Sequence, residues 1–341
     1  KMRGMKEHPM VRKNPRDVFG HRVRCGLALA YMALAPLPML AADKVRLQLK
    51  WQHAFQFAGY YAAEAQGYYR EAGLEVEIVP ATPGEDPRQQ VVQGKAEFGV
   101  GATDLLLLRA EGEPVVVLAS IFQHSPQAFM VLRKQGLQSI HDLAGSKVMV
   151  EPDSAELLAY LQHEGVSVDR QTLLPHSFDV QDLLSGKVDA MSVYAVDEPF
   201  VAGKAGRDYL LYSPRAAGID FYSDNLFTTE AMVTKRPELT RRFLAASLRG
   251  WDYAMQHQEE LIQLIHRRYS QRRSLDHLRF EARQMEPLLQ TGLVEIGHMN
   301  PGRWRYIAEI YAEMGMLQPD FDPEGFLYDA DPPPRDLTWL Y

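Results

Sequence analysis

Val45, Leu47 and Leu49 fall on one side of an extended segment and Arg46, Gln48 and Lys50 on the other, the period-two alternation of a half-exposed strand over residues 44–49. The period then lengthens. Phe57, Tyr60, Tyr61 and Ala65 recur at helical spacing, with Gly73 placed to end the helix in a left-handed conformation. A strand is predicted over 75–79, and Pro80, Pro83, Gly84 and Pro87 then break the chain into a loop. A short helix over 88–94, a buried strand over 96–100, a helix over 104–111 and an apolar strand after Pro114 complete a β-α-β-α run. Polar loops of such a run gather at the carboxyl ends of its parallel strands, where small ligands bind.

A second series begins near His124. Strands are expected over 129–132, 147–150 and 190–194 and from Leu173, with helices over 154–164 and 180–185 and Asp153 or Ser154 as the cap of the first. The stretches VVQGKAEFGVGATD and DLLSGKVDAMSVYAVDEPF resemble one another: each is a short helix, a Gly-Lys turn, an apolar strand and an acidic loop. Beyond Thr228 the pattern turns helical. Phe243, Leu244, Leu248, Trp251, Tyr253, Ile262 and Ile265 keep near-helical spacing after Pro237, and further helices are expected over 275–289 and 301–314. Pro332, Pro333 and Pro334 exclude a helix in the tail, which reads as an extended strap. The order predicts a two-lobed α/β architecture with a helical C-terminal return: lobe one from 43–122 and 220–341, lobe two from 123–219.

Charge changes the picture at the N-terminus. Residues 1–42 hold 8 of the 37 basic side chains and only 2 of the 44 acidic ones, followed by a charge-free run over 25–40 that contains Pro36 and Pro38. This is a basic region, an apolar region too short to span a membrane, and a small-residue cleavage site at Ala41-Ala42, so a cleaved export signal and a periplasmic location are expected. The chain begins with Lys1, which leaves Met2, Met5 or Met10 as start. What remains carries 29 basic and 42 acidic residues, a net charge of −13, and nucleic acid is not an expected partner. Cys25 is the one cysteine and lies in the leader, so no disulfide, cysteine metal site or thiol nucleophile is expected in the mature chain. Val23-Arg24 before it lacks a lipid-attachment pattern.

The candidate binding residues sit where strands end. Trp51 follows the first strand and offers a stacking face to a flat ligand, or packs at the start of the helix. Asp104 follows FGVG; it caps the next helix or touches ligand. Glu198, next to Asp197 after VYAV, can accept from an amine and a ring N–H, or is a solvated loop residue; Tyr194 lines the wall or ends its strand. His53 and His124 belong to no HExxH or similar pairing, so metal and acid-base catalysis are not expected of them, while contact with a ligand stays open. There is no GxSxG, P-loop or dinucleotide fingerprint. Ser125-Pro126 is a candidate hinge.

LKWQHAFQFAGYYAAEAQGYYREAGLEVEI, GKAEFGVGATDLLLLRAEGEPVVVLASIFQHSP and GKVDAMSVYAVDEPF resemble the thiamine-pyrimidine-precursor binding proteins, over about residues 43–245. These are type II periplasmic binding proteins, related to alkanesulfonate binders and to thiamine pyrimidine synthase. The resemblance implies two α/β lobes with a two-strand hinge, closing on an aminopyrimidine that is passed to an ABC permease. Its ligand-binding residues here would be Trp51, Asp104, His124, Tyr194 and Glu198, with no cofactor and no metal, in a monomer. Where the family often has Asn before the glutamate, this chain has Asp197. The synthase branch carries a lysine and a histidine after FGVG and a cysteine-rich iron motif; Gly101-Ala102-Thr103-Asp104 and the absence of cysteine after residue 25 match neither, so an enzyme is not expected. The C-terminal part, EIGHMNPGRWRYIAEIYAEMGMLQPDF, is similar to ligand-sensing ectodomains of membrane signalling proteins, which gives the alternative of a sensor with a membrane partner.

Overall fold

The computed structural model describes residues 41–133, 136–167 and 172–329. Residues 1–40 of the leader expected over 1–42, including Cys25, and nearly all of the expected extended tail lie outside the described residues.

The first sheet is ordered β2-β1-β3-β10-β4, from β1 (Asp43–Gln48), β2 (Leu74–Val79), β3 (Phe98–Gly101), β4 (Val115–Phe122) and β10 (Ser223–Thr229). β1 runs parallel to β2 and β3, and β10 lies antiparallel between β3 and β4. The second sheet repeats the plan as β7-β6-β8-β5-β9, from β5 (Gln127–Leu132), β6 (Val148–Val150), β7 (Leu173–Pro175), β8 (Ala190–Tyr194) and β9 (Tyr209–Tyr212). Again one strand, β5, is antiparallel to its neighbours. β3 and β8, the strands of the two similar stretches, occupy the same place in their sheets. The chain crosses between sheets twice, after β4 and after β9. The alternation did not identify β9 or β10, the strands on either side of the second crossing.

Helices cover the first sheet because their apolar residues form one stripe. In α9 (Pro237–Gln256), Leu239, Phe243, Ala246, Gly250 and Ala254 are buried at steps of three and four, with Trp251 beside them. The helix lies against α1 (Ala58–Ala65) with almost no space between backbones. A Cβ on Gly250 would stand 2.2 Å from the Gly59 carbonyl oxygen, and one on Gly59 would stand 2.1 Å from the Trp251 ring. Gly73 has φ 71° and follows α2 (Tyr68–Glu71), but the single helix expected to run up to it is broken after α1, where Gly67 turns left-handed at φ 77°. The C-terminal helices α11 (Leu275–Leu289) and α12 (Pro301–Glu313) return to the first sheet; Gln123 N–H bonds the Leu288 carbonyl, and the Tyr311 hydroxyl lies 2.9 Å from that of Thr103.

The topology fixes where a site can form. The carboxyl ends of β1 and β3 and the amino end of antiparallel β10 share one edge, while the carboxyl ends of β6, β7 and β8 share the matching edge of the second sheet. The loops that leave these edges meet between the sheets.

Candidate functional site

Lys50 leaves β1 at this meeting point and is almost wholly enclosed. Its Nζ lies 2.6 Å from Asp153 Oδ2 and donates to the Tyr194 hydroxyl at 2.6 Å, both in the second lobe. The Tyr194 hydroxyl in turn donates to Asp224 Oδ1 at 3.0 Å, and Gln56 Nε2 donates to Asp224 Oδ2 at 2.9 Å. Burial works against the Lys50 charge, but Asp153, Tyr194, Glu151 and Asp224 around it hold its pKa well above the usual lysine value. The same burial raises the carboxyls: Asp224 is pushed up to about 6, and Glu151 and Glu198 also go up, Glu198 further because of the charges on Asp197 and Glu151. Asp153 goes the other way, held low by Lys50 against its own burial. One ammonium thus stands among four carboxyl groups, not all of which can ionise together.

Trp51 is the next residue and stands at the boundary of two cavities. An inner one of about 10 Å³, room for about one water, is lined by Lys50, Trp51, Gln56, Glu151, Tyr194 and Glu198. An outer one of about 280 Å³ is shared by Trp51 and His53 of lobe one, Phe178 and Glu198 of lobe two, and Tyr269 and Arg273 of the C-terminal return. The indole N–H donates to Asp197 Oδ2 at 3.1 Å, and the ring meets Phe178 with centroids 4.2 Å apart. Glu198 begins α7 (Glu198–Lys204), and its Oε2 accepts the Tyr194 backbone N–H at 3.0 Å.

Asp197 is held from the other side by α11 and the turn before it. Arg273 Nη2 lies 2.5 Å and His277 Nε2 2.7 Å from its carboxylate, and Arg273 Nε reaches Glu281 at 3.0 Å. Glu281 also accepts the Phe55 N–H at 2.6 Å, so lobe one, lobe two and the C-terminal return are joined by one network. Asp197, His277 and Glu281 converge closely enough to ligate a metal ion. The Arg273 guanidinium already supplies the positive charge between the two carboxylates, and the set is a salt-bridge network rather than an open cation site.

The five candidate residues divide. Trp51, Tyr194 and Glu198 face a common gap, with Trp51 contributed by the first sheet and the other two by the second. Asp104 and His124 line neither of these cavities. Asp104 precedes α4 (Leu105–Ala110), but its carboxylate makes no cap hydrogen bond there; it pairs with Arg88, which also holds Asp86 at 2.7 Å. Burial pushes Asp104 up to about 6. The guanidinium takes Asp104 Oδ2 as a charged partner, while the buried Oδ1 has no hydrogen-bond partner among the described residues. Ser154, likewise, precedes its helix without a side-chain cap bond. His124 lies at the first crossing, with Nδ1 2.8 Å from Asp220.

Sequence patterning missed Lys50, Asp153, Asp224, Arg273 and Phe178. Lys50 falls on the polar side of the alternation, and only the second lobe buries it. Phe178 had a usable signal: it lies three residues beyond β7, as Trp51 lies three beyond β1.

Residues 54–261 match the family described as NMT1/THI5 like. The chain is similar to the riboflavin-binding protein RibY of Chloroflexus aurantiacus, at 30% identity over 64% of this chain and 64% of the relative, so it spans somewhat under two thirds of that protein. It is similar to the formylaminopyrimidine-binding protein of Halalkalibacterium halodurans, at 26% identity over 66% of this chain and 70% of the relative. The 4-amino-5-hydroxymethyl-2-methylpyrimidine phosphate synthase THI13 of Saccharomyces cerevisiae is 24% identical over 63% of this chain and 68% of its own length. Among solved structures, the alkanesulfonate-binding protein SsuA from Xanthomonas axonopodis pv. citri superposes with a TM-score of 0.65 at 11% identity, over 84% of this chain and 99% of that one. The fold is that of the periplasmic binding proteins.

Proposed function

This chain belongs to the NMT1/THI5-like family, and we propose that within it the chain is an exported solute-binding protein that captures a flat, amine-bearing heterocycle between its lobes. The favoured ligand is an aminopyrimidine precursor of thiamine, handed on to an ABC permease. The observation that carries this reading is the outer cavity of about 280 Å³, bordered together by the Trp51 indole from one sheet and the Glu198 carboxyl from the other, with Tyr194 beside them on the small inner cavity. Trp51 stacks on the ring, and Glu198 hydrogen-bonds the exocyclic amine or ring N–H. Lys50 supplies a donor to a ring nitrogen or carbonyl on the opposite edge. A ligand that touches both lobes stabilises the closed arrangement by its differential affinity for it. Export is consistent with the described residues, where no helix is long and apolar enough to cross a membrane.

A flavin is the second reading. It is supported by the riboflavin-binding relative and by the outer cavity, which at about 280 Å³ accommodates more than a single six-membered ring. Binding is preferred to synthesis because the segment after β3 reads Gly101-Ala102-Thr103-Asp104 and offers no lysine or histidine for cofactor and substrate. Native mass spectrometry of the purified protein tests the reading by weighing any co-purified molecule, followed by calorimetry with aminopyrimidine and riboflavin. Capture of either supports a heterocycle binder. Selective capture of an aliphatic sulfonate, or turnover of pyridoxal phosphate to a pyrimidine phosphate, refutes it.

A further inference from the structure

Among the described residues only three other than glycine have positive φ: Phe178 at 61°, Asp224 at 49° and Gln290 at 56°. Gln290 terminates α11, a position where a left-handed residue is ordinary. The other two border the gap between the lobes. Asp224 is held by Gln56 and Tyr194, whereas Phe178 presents a large apolar ring. A left-handed backbone is strained for a residue with a Cβ. Phe178 is partly buried and packs against the cluster that contains Trp51, not against the apolar cluster of β5 and β8.

The surrounding bonds hold Phe178 in this conformation. His176 Nε2 lies 3.0 Å from the Ser192 carbonyl oxygen and must donate to it, which leaves Nδ1 to accept the Phe178 N–H at 3.0 Å. Both ring nitrogens are therefore used by a neutral imidazole, and burial depresses the His176 pKa to about 4, so this arrangement persists at neutral pH. The ring so fixed lies against Trp51 of the opposite lobe, with centroids 4.2 Å apart and planes at 55°, and it borders the outer cavity. His176 meets the indole edge-on at 5.6 Å.

We infer that Phe178 is the lobe-two half of an aromatic clamp whose lobe-one half is Trp51, and that this pair selects flat heteroaromatic rings over saturated ones. The inference rests on the reading of the gap as the ligand site. Two rings stacked on either side of a third need planes roughly 7 Å apart at ordinary carbon contact distances. The clamp therefore admits ligand when the lobes part by about 3 Å from the present contact and the two planes, now 55° apart, turn toward parallel, and it grips the ring when they come back. The strained loop aims Phe178 across the gap without needing the ligand to arrange it.

The test is calorimetric titration of the full chain with 4-amino-5-hydroxymethyl-2-methylpyrimidine, with riboflavin, and with a ring-saturated counterpart of the pyrimidine. Wild type, Phe178→Ala and Phe178→Tyr are compared, each checked for an unchanged unfolding transition without ligand. The clamp predicts that wild type takes a flat ring and rejects the saturated one. It predicts that Phe178→Ala weakens the flat ring roughly tenfold and that Phe178→Tyr restores binding to within about threefold. Equal or tighter binding by Phe178→Ala overturns the clamp and leaves the heterocycle reading standing, since Phe178 would then only cover the indole. Failure of wild type to take either flat ring overturns both. Phe178→Gly adds a check independent of ligand: with the backbone strain relieved, its melting temperature should not fall below that of Phe178→Ala, and a lower value refutes the strain on which the clamp is built.

Discussion

Replacing Lys50 by methionine removes the only ammonium among the four carboxyl groups that meet between the lobes. The Lys50 and Asp153 side chains are 2% and 6% exposed, and their charged atoms are 2.6 Å apart. Breaking such a pair from one side leaves an uncompensated buried carboxylate and costs about 3–5 kcal/mol. Because the partners sit on different lobes, the protein can escape this cost by opening rather than unfolding. The expected result is a shift of the closed-to-open ratio by a factor on the order of 10²–10⁴ toward the open form. Small-angle scattering without ligand should report a larger radius of gyration, and the urea midpoint should fall if opening does not absorb the whole cost. The pH dependence has a definite sign. In the wild type the depressed Asp153 pKa gives stability that is present above the ordinary carboxylate value and lost as pH falls through the folded value. In the variant the same carboxyl has lost its cation and its pKa rises, so the deficit shrinks in acid and grows toward alkaline pH. Lys50→Met combined with Asp153→Asn should recover most of the loss. Unchanged scattering and an unchanged urea midpoint in the single variant, or a double variant no better than the single, would refute the argument.

Three further outcomes follow from other parts of the molecule. Glu198→Ala should lose about 1–3 kcal/mol of aminopyrimidine affinity in calorimetry, the cost of leaving a buried donor of the ligand without its partner; unchanged affinity removes Glu198 from the site. Gly250→Ala should lower stability by about 1–3 kcal/mol or more in thermal unfolding, because its Cβ would meet the Gly59 carbonyl at 2.2 Å and α1 and α9 would have to separate. Burial pushes Glu156 up to about 8, so its contribution is fully present below the ordinary carboxylate pKa and is lost as pH rises through 8. Glu156→Gln should flatten the decline of the urea midpoint between about pH 5 and 8, and an identical decline in both proteins excludes Glu156 as its source.

Much of the scaffold could be read along the chain because it rests on local periodicity. The alternation at Val45, Leu47 and Leu49, the helical stripe through Phe243 and Trp251, and the turn glycine at 73 each report their own element, and the helix over Leu275–Leu289 has the bounds that its spacing implies. β9 is a short strand of four residues, and β10 is buried on nearly every position and so shows no alternation; both lie next to a crossing and pair with residues far away in sequence. The candidate site was legible only where a residue type is informative by itself at a strand end. Trp51 and Glu198 satisfy that condition. Arg273 does not: it is one of many arginines until α11 brings it against Asp197.

The amino-acid sequence by itself determined the two-lobed α/β plan, its internal repetition and the strand ends from which a ligand could be held, because the hydrophobic period and turn residues act over a few positions. Only the tertiary structure decided which charges lose their water and find one another. Lys50 meets Asp153 across about a hundred residues, Asp197 is claimed by Arg273 and His277, and Phe178 is turned onto Trp51. Each of these pairings depends on two sheet edges facing each other, and desolvation there, rather than residue type, sets which groups stay ionised.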